Sequence, residues 1–408
     1  MYINENLKIT CPAGFKAAGI HCGLKKSFLK KDLALIYSEV PATACGVYTK
    51  NKVKGAPLIV TKQNLSNKKA KAIIINSGND KTCNGTDGLT KANKMASLCA
   101  KELKIKSDDV LVASTGVIGV PLNIDAIKDG IPNLVNKLSK LSDSAIDAGE
   151  AIMTTDTVEK QGGIEIQINN KKVTIAAMAK GSGMIHPNMA TMLSFITTDI
   201  SISPALLKEA LNERVKISYN RISVDGDSST NDMVLIMANG LANNEMITEK
   251  NLNYNIFLEA LINLNIYLAK KIARDGEGAT KLVECTVKNT SKLIDAETLS
   301  KSVITSSLVK TAIFGSDANW GRILCALGYS NVDFNPNKVD IYFSSSSGTI
   351  LVCKNGSSVN FDESKAKEIL LQDEIQILID MKDGTYSATA WGCDLTYDYV
   401  KINGDYRS

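Results

Sequence analysis

Short apolar runs alternate with longer amphipathic stretches along the 408-residue chain, and this alternation limits the folds open to it. The runs Ala72–Asn76 and Val110–Ala113 predict buried strands, because strands are short and rich in branched apolar residues. Leu89–Leu103 carries apolar residues on one helical face and predicts a helix. Residues 164–168 and 173–178 flank a polar turn and predict an antiparallel hairpin. We therefore predict a mixed α/β protein, and the hairpin argues against a purely parallel, doubly wound sheet.

The remaining elements continue this mixed pattern to the end of the chain. Pro132 is expected to begin a helix, because proline is favoured in the first helical turn. Further helices are expected at Ala145–Met153, Leu206–Ile217 and Ile256–Ile272. Further strands are expected at Met192–Ile200, Leu282–Val287, Val339–Phe343, Ile350–Cys353 and Ile375–Ile379.

Composition excludes several classes of function. The formal charge is only +4, and the lysine clusters 25–31 and 68–71 lack interleaved aromatic residues, so we interpret them as solvated faces and expect no nucleic-acid partner. No apolar run approaches the roughly 18 residues that span a bilayer, so no membrane partner is expected. Nine scattered cysteines without a CxxC pair favour a reduced, cytoplasmic protein. The two histidines are too few for a multi-histidine metal centre, and no metal is expected.

The most unusual segment runs from Lys180 to Met192 and reads KGSGMIHPNMATM. Its glycines and proline form a permissive loop before an apolar stretch, and small Ala190 leaves its own carbonyl open to attack by the Thr191 hydroxyl. An N→O acyl shift followed by hydrolysis would free an α-amine on Thr191. That amine titrates at about 7.7–8.0 and could act as the base that a weakly nucleophilic hydroxyl needs. On the residues alone, an ordinary loop entering a strand is the commoner use of such a segment.

Four other motifs carry groups suited to catalysis or binding, each with a plainer alternative. Ser114–Gly119 could supply oxyanion donors or simply form a tight turn. Thr154–Thr157 could contact a substrate or cap a helix. Glu277 lies between two glycines and could meet an ammonium group or be a surface acid. The tail Asn403–Ser408 would ordinarily be frayed. Asp225–Asp232 lacks the glycine and glutamate of a calcium-binding EF-hand loop, so that interpretation fails.

Taken together, these motifs resemble the glutamate N-acetyltransferase (ornithine acetyltransferase) family of arginine biosynthesis, also called ArgJ. The matching stretches occur in the family's order over nearly the whole chain. They are ASTGVIG (113–119), TTDT (154–157), KGSGMIHPNMATML (180–193), SVDGDSSTND (223–232), ARDGEGATK (273–281), FGSDANWGRI (314–323) and the terminal YRS. A set of seven ordered motifs is far more specific than any one of them.

The resemblance implies a role for each motif residue. Self-cleavage between Ala190 and Thr191 would give an α chain of residues 1–190 and a β chain of residues 191–408. Thr191 would be the nucleophile, and Thr115 with Gly116 would form the oxyanion hole. The residues implied in binding the amino-acid substrate are Thr154 (chosen over Thr155), Lys180, Thr191, Glu277, Asn403 and Ser408.

The resemblance also implies the reaction and the fold. Acetyl would pass from N2-acetylornithine to glutamate through acetyl-Thr191, with acetyl-CoA as an alternative donor and no metal or organic cofactor. The expected fold is an N-terminal-nucleophile-like sandwich of stacked sheets with a smaller α/β subdomain in the β chain, assembled as an α2β2 heterotetramer. Two alternatives remain open: a self-processed N-terminal-threonine amidase or aminopeptidase, and a non-catalytic ligand-binding protein.

Overall fold

The computed structural model describes residues 1–186 and 192–405, which divide into two compact units. The described part of the first unit comprises residues 1–181, 192–220 and 228–268. The second comprises residues 182–186, 221–227 and 269–405. Each unit has its own sheet.

The first unit contains one large sheet and the helices that flank it. Its strands are β1 (Phe15–Ile20), β2 (Leu33–Tyr48), β3 (Lys69–Asn79), β4 (Val110–Val117), β5 (Lys160–Ile168), β6 (Lys171–Lys180), β7 (Leu193–Thr198) and β8 (Met233–Ala238). Its helices are α1 (Ala56–Asn64), α2 (Gly85–Leu103), α3 (Ile124–Asn136), α4 (Ser142–Ile152), α5 (Pro204–Lys216) and α6 (Leu252–Arg274), whose end belongs to the second unit.

The long strand β2 joins two halves of this sheet. The strand order is β4-β3-β2-β8-β7-β6-β5, with β1 also paired to β2. The first part of β2 pairs with β1 and β3, and its second part, Thr43–Tyr48, pairs with β8. The β2–β3 register is irregular between Tyr37 and Ala42, where β2 passes from one half to the other. Such irregularities bend a strand.

The two halves share a hydrophobic core. One cluster of buried side chains combines Ile36 and Ile73 from the first half with Phe195 and Leu235 from the second, and α4 adds further side chains to it. Alternate residues of β2, β3 and β4 point to the opposite face and pack with α2 and α3. Residues from both halves of the sheet therefore share one buried cluster, and the predicted mixed α/β class is confirmed.

The second unit is the smaller α/β part. Its strands are β9 (Leu282–Thr290), β10 (Asp340–Ser345), β11 (Gly348–Lys354), β12 (Ser357–Ser358), β13 (Glu374–Asp380) and β14 (Tyr386–Cys393), in the order β12-β11-β10-β13-β9-β14. The pair β9–β13 is parallel and the other pairs are antiparallel. Its helices are α7 (Leu293–Thr305), α8 (Ser307–Phe314), α9 (Trp320–Gly328), α10 (Glu363–Leu370) and α11 (Tyr397–Gly404). A separate hydrophobic cluster stabilises this unit.

The prediction that a helix begins at Pro132 is wrong. Pro132 lies inside α3, which begins after Asn123, whose side chain accepts a hydrogen bond from the Ala126 N–H at 3.2 Å. A proline inside a helix removes one backbone donor, and here buried side chains on the same helix, including Ile127 and Ile131, offset that loss. Among the described residues, the helices include none that is long and apolar enough to cross a membrane.

Candidate active site

The predicted oxyanion turn lies at the end of two parallel strands. In the register of β3 and β4, Ser77 pairs with Thr115 and Gly78 pairs with Gly116. Gly116 has a φ of +130°, and a Cβ at this position would lie 2.3 Å from the carbonyl carbon of Gly78. Only glycine combines this conformation with so close an approach of two backbones. The backbones of Gly78 and Gly116 therefore lie in close contact next to Thr115.

A buried polar network supports this turn from behind. The hydroxyl of Ser114 and the ammonium of Lys81 both donate to Asn76 Oδ1, at 2.6 and 3.0 Å. The Asn76 amide donates in turn to the carbonyl of Asn79 at 2.9 Å. Burial lowers the pKa of Lys81 to about 7, although the neighbouring Asp80 opposes the shift. No local signal in the sequence marks this lysine, because lysines are ordinarily exposed.

Lys180, at the end of β6, brings three predicted residues together. Its Nζ donates to Thr154 Oγ1 at 2.7 Å and lies 3.4 Å from Thr115 Oγ1. Thr154 is the threonine chosen over Thr155 as a substrate contact, and that role stays a prediction. Lys180 is only 7% exposed, so its charge acts in a poorly solvated environment, where an anion is bound more strongly than in water.

Asp156 holds this cluster in place. Its carboxylate accepts hydrogen bonds from the Thr154 N–H at 3.0 Å, the Gly181 N–H at 2.7 Å and Lys160 Nζ at 2.8 Å. It also lies 3.7 Å from Lys180 Nζ. Burial alone would raise the pKa of Asp156, but the charges of Lys180 and Lys160 outweigh burial and hold that pKa well below its usual range. The TTDT motif is therefore organised around a buried, ionised carboxylate, and the helix-cap alternative is wrong for Asp156.

The second unit brings together two other predicted residues. Glu277 is 7% exposed, and its Oε2 accepts a hydrogen bond from the side-chain amide of Asn403 in α11 at 2.8 Å. The Glu277 N–H donates to the carbonyl of Ser182 at 3.2 Å. A Cβ on Gly183 would lie 2.4 Å from the Glu277 carboxylate, so this glycine allows the carboxylate to approach the backbone closely. Glu277 is therefore a buried, oriented acid and not a surface one.

The predicted residues Ala190, Thr191 and Ser408 lie outside the described residues. Met192, which follows Thr191 in the sequence, accepts a backbone hydrogen bond from the Met233 N–H at 3.1 Å. The next residue, Leu193, pairs with Lys180 across β6 and β7. The described chain on the C-terminal side of the predicted cleavage point is thus paired with the strand that carries Lys180.

Two further charged residues, Lys25 and Asp232, are more buried than the sequence predicts. Lys25 was assigned to a solvated face, but it is half-buried and its Nζ donates to the carbonyls of Lys31 and Met153, both at 2.7 Å. Asp232 ends the SVDGDSSTND motif, to which the sequence assigns no binding role, but its carboxylate is buried and burial raises its pKa well above the usual range. No hydrogen bond to Asp232 Oδ2 is found within residues 1–186 and 192–405.

The fold and these clusters define a mixed α/β protein in which one unit holds a buried lysine against two threonines beside a glycine turn and the other holds a buried, oriented carboxylate. The ArgJ family model matches residues 16–408. The arginine biosynthesis bifunctional protein ArgJ 1 of Clostridium acetobutylicum is 54% identical, over 99% of this chain and 98% of that protein. The ArgJ protein of Caldanaerobacter subterraneus is 52% identical, over 98% of both chains. The chain therefore belongs to the ArgJ family, and the expected enzyme class, a glutamate N-acetyltransferase of arginine biosynthesis, is confirmed.

Two solved structures are also similar. The crystal structure of the arginine biosynthesis bifunctional protein from Bacillus halodurans is 45% identical with a TM-score of 0.45, and the match covers 46% of this chain and 97% of that one. The ornithine acetyltransferase of Mycobacterium tuberculosis, solved in complex with ornithine, is 36% identical with a TM-score of 0.44, and the match covers 46% of this chain and 99% of that one.

Proposed function

We propose that this chain cleaves itself and then transfers acetyl from N2-acetylornithine to glutamate in the cyclic form of arginine biosynthesis. The observation that carries the proposal is the position of Lys180, which binds Thr154 and reaches Thr115 beside the Gly116 turn. A buried cation next to backbone donors can hold the carboxylate of an amino acid while the donors stabilise an oxyanion. This is the arrangement that acyl transfer to or from an α-amine requires.

Maturation is the first step of the proposal. The Thr191 hydroxyl attacks the Ala190 carbonyl carbon, the peptide C–N bond breaks, and the acyl group passes to Thr191 Oγ as an ester. Water hydrolyses that ester, which releases residues 1–190 with a new carboxylate and leaves Thr191 at the start of residues 191–408. The freed α-amine then serves as the base that activates the Thr191 hydroxyl.

Acetyl transfer follows in two half-reactions. Thr191 Oγ attacks the acetyl carbonyl of N2-acetylornithine, and its proton passes through the α-amine to the departing amine of ornithine. Donors from Thr115 and Gly116 stabilise the tetrahedral oxyanion. The amine of glutamate then attacks the acetyl ester, the ester C–O bond breaks, and a proton returns to Thr191. The mechanism is ping-pong, with a covalent acetyl-enzyme between the two half-reactions.

The remaining roles complete the proposal. Lys180 binds the α-carboxylate with help from Thr154, Glu277 binds the side-chain ammonium of ornithine, and Asn403 orients Glu277. Ser408 contacts the substrate from the C-terminal tail. Acetyl-CoA acts as an alternative donor, and no metal or organic cofactor takes part because threonine, amine and backbone donors supply the chemistry. The mature enzyme is a cytoplasmic α2β2 assembly, and the absence of CxxC pairs supports a reducing compartment.

Denaturing electrophoresis tests maturation. The 43.9 kDa chain should convert into two fragments whose junction is Thr191 by N-terminal sequencing. Thr191→Ala should remain intact, whereas Thr90→Ala, which removes an exposed hydroxyl from α2, should be processed normally. Cleavage that persists in Thr191→Ala would assign the cut to an external protease.

Product assays test the transfer. N2-acetylornithine should release ornithine and leave acetyl on Thr191, detected by mass spectrometry, and glutamate should then become N-acetylglutamate. Release of acetate at a rate that glutamate does not change would identify an amidase instead. Binding of N2-acetylornithine without ornithine release would identify a ligand-binding protein. Acetyl-CoA supplied as the sole donor shows whether the second activity is present.

A further inference from the structure

Lys25 is held beside the candidate site by contacts that are unusual for a lysine in an exposed loop. Its Nζ donates to the carbonyl of Met153, the residue before Thr154, at 2.7 Å, and to the carbonyl of Lys31 at 2.7 Å. An ammonium group has three N–H donors, so one remains for another acceptor. Thr154 is in turn bound by Lys180, which places both lysines against the same short segment.

The backbone of the loop around Lys25 is fixed by a buried carboxylate. Asp32 is fully buried and accepts hydrogen bonds from the N–H groups of Cys22, Leu24 and Lys25 at 2.7, 2.8 and 3.0 Å. Three such bonds to one carboxylate define the direction in which the Lys25 side chain leaves the backbone. The position of this lysine is therefore built into the fold.

The hydrocarbon stem of Lys25 runs along the oxyanion turn. A Cβ built on Gly78 would lie 3.6 Å from Lys25 Cγ, and Gly78 is the strand partner of Gly116. The lysine therefore passes the turn on its way to Met153. A group bound by Lys25 would lie near both Lys180 and the peptide groups proposed to stabilise the oxyanion.

Charges of both signs act on Lys25. The groups that act on it most strongly are two carboxylates, Asp32 and Asp156, and two other lysines, Lys180 and Lys30. Burial, the largest influence, lowers the pKa of Lys25 to about 8. The Lys25 ammonium would attract a carboxylate bound here and would repel an additional ammonium group.

We propose that Lys25 is a specificity-determining residue that binds the second carboxylate of the acceptor and so favours glutamate over neutral or diamino acids. The inference rests on the proposed acetyl transfer. Lys180 serves the α-carboxylate that every amino-acid substrate shares, and Lys25 serves the carboxylate that glutamate has and ornithine lacks.

The test compares glutamate with glutamine, its uncharged isostere, as acetyl acceptors. In Lys25→Met, the ratio of kcat/KM for glutamate to that for glutamine should fall by about ten-fold or more, because a charge-assisted hydrogen bond is lost. Release of ornithine from N2-acetylornithine in the first half-reaction should change by less than about two-fold. Lys26→Met is the matched control, because it removes the same charge from the adjacent, exposed residue and should leave the ratio unchanged.

Lys25→Arg keeps the positive charge and should retain most of the preference for glutamate, which a purely structural loss would not allow. If Lys25→Met leaves the glutamate-to-glutamine ratio of kcat/KM unchanged and releases ornithine normally, the proposed role of Lys25 is refuted. The proposed acetyl transfer would still stand. An equal loss for glutamate, glutamine and ornithine release would show that Lys25 only stabilises the loop. A wild-type enzyme that releases no ornithine would refute the proposed function and this inference with it.

Discussion

Asp156→Asn tests how strongly one buried carboxylate holds the site together. The change keeps the shape of the side chain, but it removes the charge between Lys160 and Lys180. It also leaves an acceptor oxygen for only one of the N–H groups of Thr154 and Gly181, which donate to different oxygens of the carboxylate. Asp156 and Lys160 have no exposed side-chain surface, so water cannot replace the lost carboxylate. Removal of one partner from a buried ion pair costs about 3–5 kcal/mol, and we expect a loss of that size in the free energy of unfolding.

Urea unfolding followed by circular dichroism measures this loss. Because the folded-state pKa of Asp156 is held below its ordinary value of 3.8, its contribution to stability is fully present above that value. The contribution disappears as the pH falls from 3.8 towards the lower folded-state pKa. The difference between wild type and Asp156→Asn should therefore be constant from about pH 5 to 7 and shrink only below about pH 4.

Two variants control the measurement. Glu165→Gln removes a carboxylate from an ion pair with Lys172 of similar length, 2.7 Å, but both side chains are exposed and no measurable loss is expected. Adding Lys160→Met to Asp156→Asn should recover part of the stability, because an apolar side chain tolerates burial better than a cation that has lost its anion. Equal losses in Asp156→Asn and Glu165→Gln would refute the reasoning from burial.

Three further predictions address the turn, the buried lysine behind it and the acid in the second unit. Gly116→Ala should abolish ornithine release and lower the melting temperature, because its Cβ would lie 2.3 Å from the Gly78 carbonyl carbon. In Gly78→Ala the nearest atom to the new Cβ would be 3.6 Å away, so only backbone strain should lower the free energy of unfolding, by about 1–3 kcal/mol. Similar losses in Gly116→Ala and Gly78→Ala would contradict the steric argument. Because the pKa of Lys81 is lowered to about 7 from 10.5, the unfolded chain binds more protons between these values, and wild-type stability rises with pH across that window. We therefore expect the free energy of unfolding of Lys81→Met, measured with urea relative to wild type, to be higher at pH 7 than at about pH 9.5. The reverse order would show that the Lys81 ammonium is not destabilised by its burial. Asn403→Leu removes the amide that donates to Glu277 and should raise the KM for N2-acetylornithine about two- to ten-fold with little change in kcat; an unchanged KM would separate Asn403 from substrate binding.

Local patterns in the sequence predicted individual elements better than their arrangement. The strand expected at Ala72–Asn76 lies within β3 and the helix expected at Leu89–Leu103 lies within α2, because apolar periodicity reports burial directly. The parallel pairing of β3 with β4 follows from contacts between distant residues and leaves no local signal. Helix α7 was missed because polar residues interrupt its apolar face and Lys292, before its first turn, makes no side-chain capping bond. Asn319 does cap α9 by accepting from the Arg322 N–H at 3.3 Å, and this signal could have found that helix.

The site was predicted by motif order more than by chemistry read from single residues. Each motif alone had a plainer explanation, and the contact between Lys180 and Thr154 joins residues that lie in different motifs. The family resemblance implies roles for residues that contact the substrate. It does not indicate that Asp156 orients Thr154 and Lys180, because that depends on contacts that only the structure shows. Lys25 and Lys81 were missed for a different reason: composition treats lysine as a surface residue, and only the fold shows that both are withdrawn from water.

The lysines of the first unit differ in how their burial is compensated. Lys160 and Lys180 share the ionised Asp156, which offsets the cost of removing their charges from water. Burial of Lys25 and Lys81 is only partly offset by nearby acids, and the pKa of each falls towards neutrality. For Lys81 the hydrogen bond to Asn76 offsets part of that cost, and Asn76 in turn accepts from Ser114, the residue before the proposed oxyanion donors. For Lys25 the two carbonyl acceptors carry no net charge, and under the proposed role an anionic substrate supplies the further compensation when it binds.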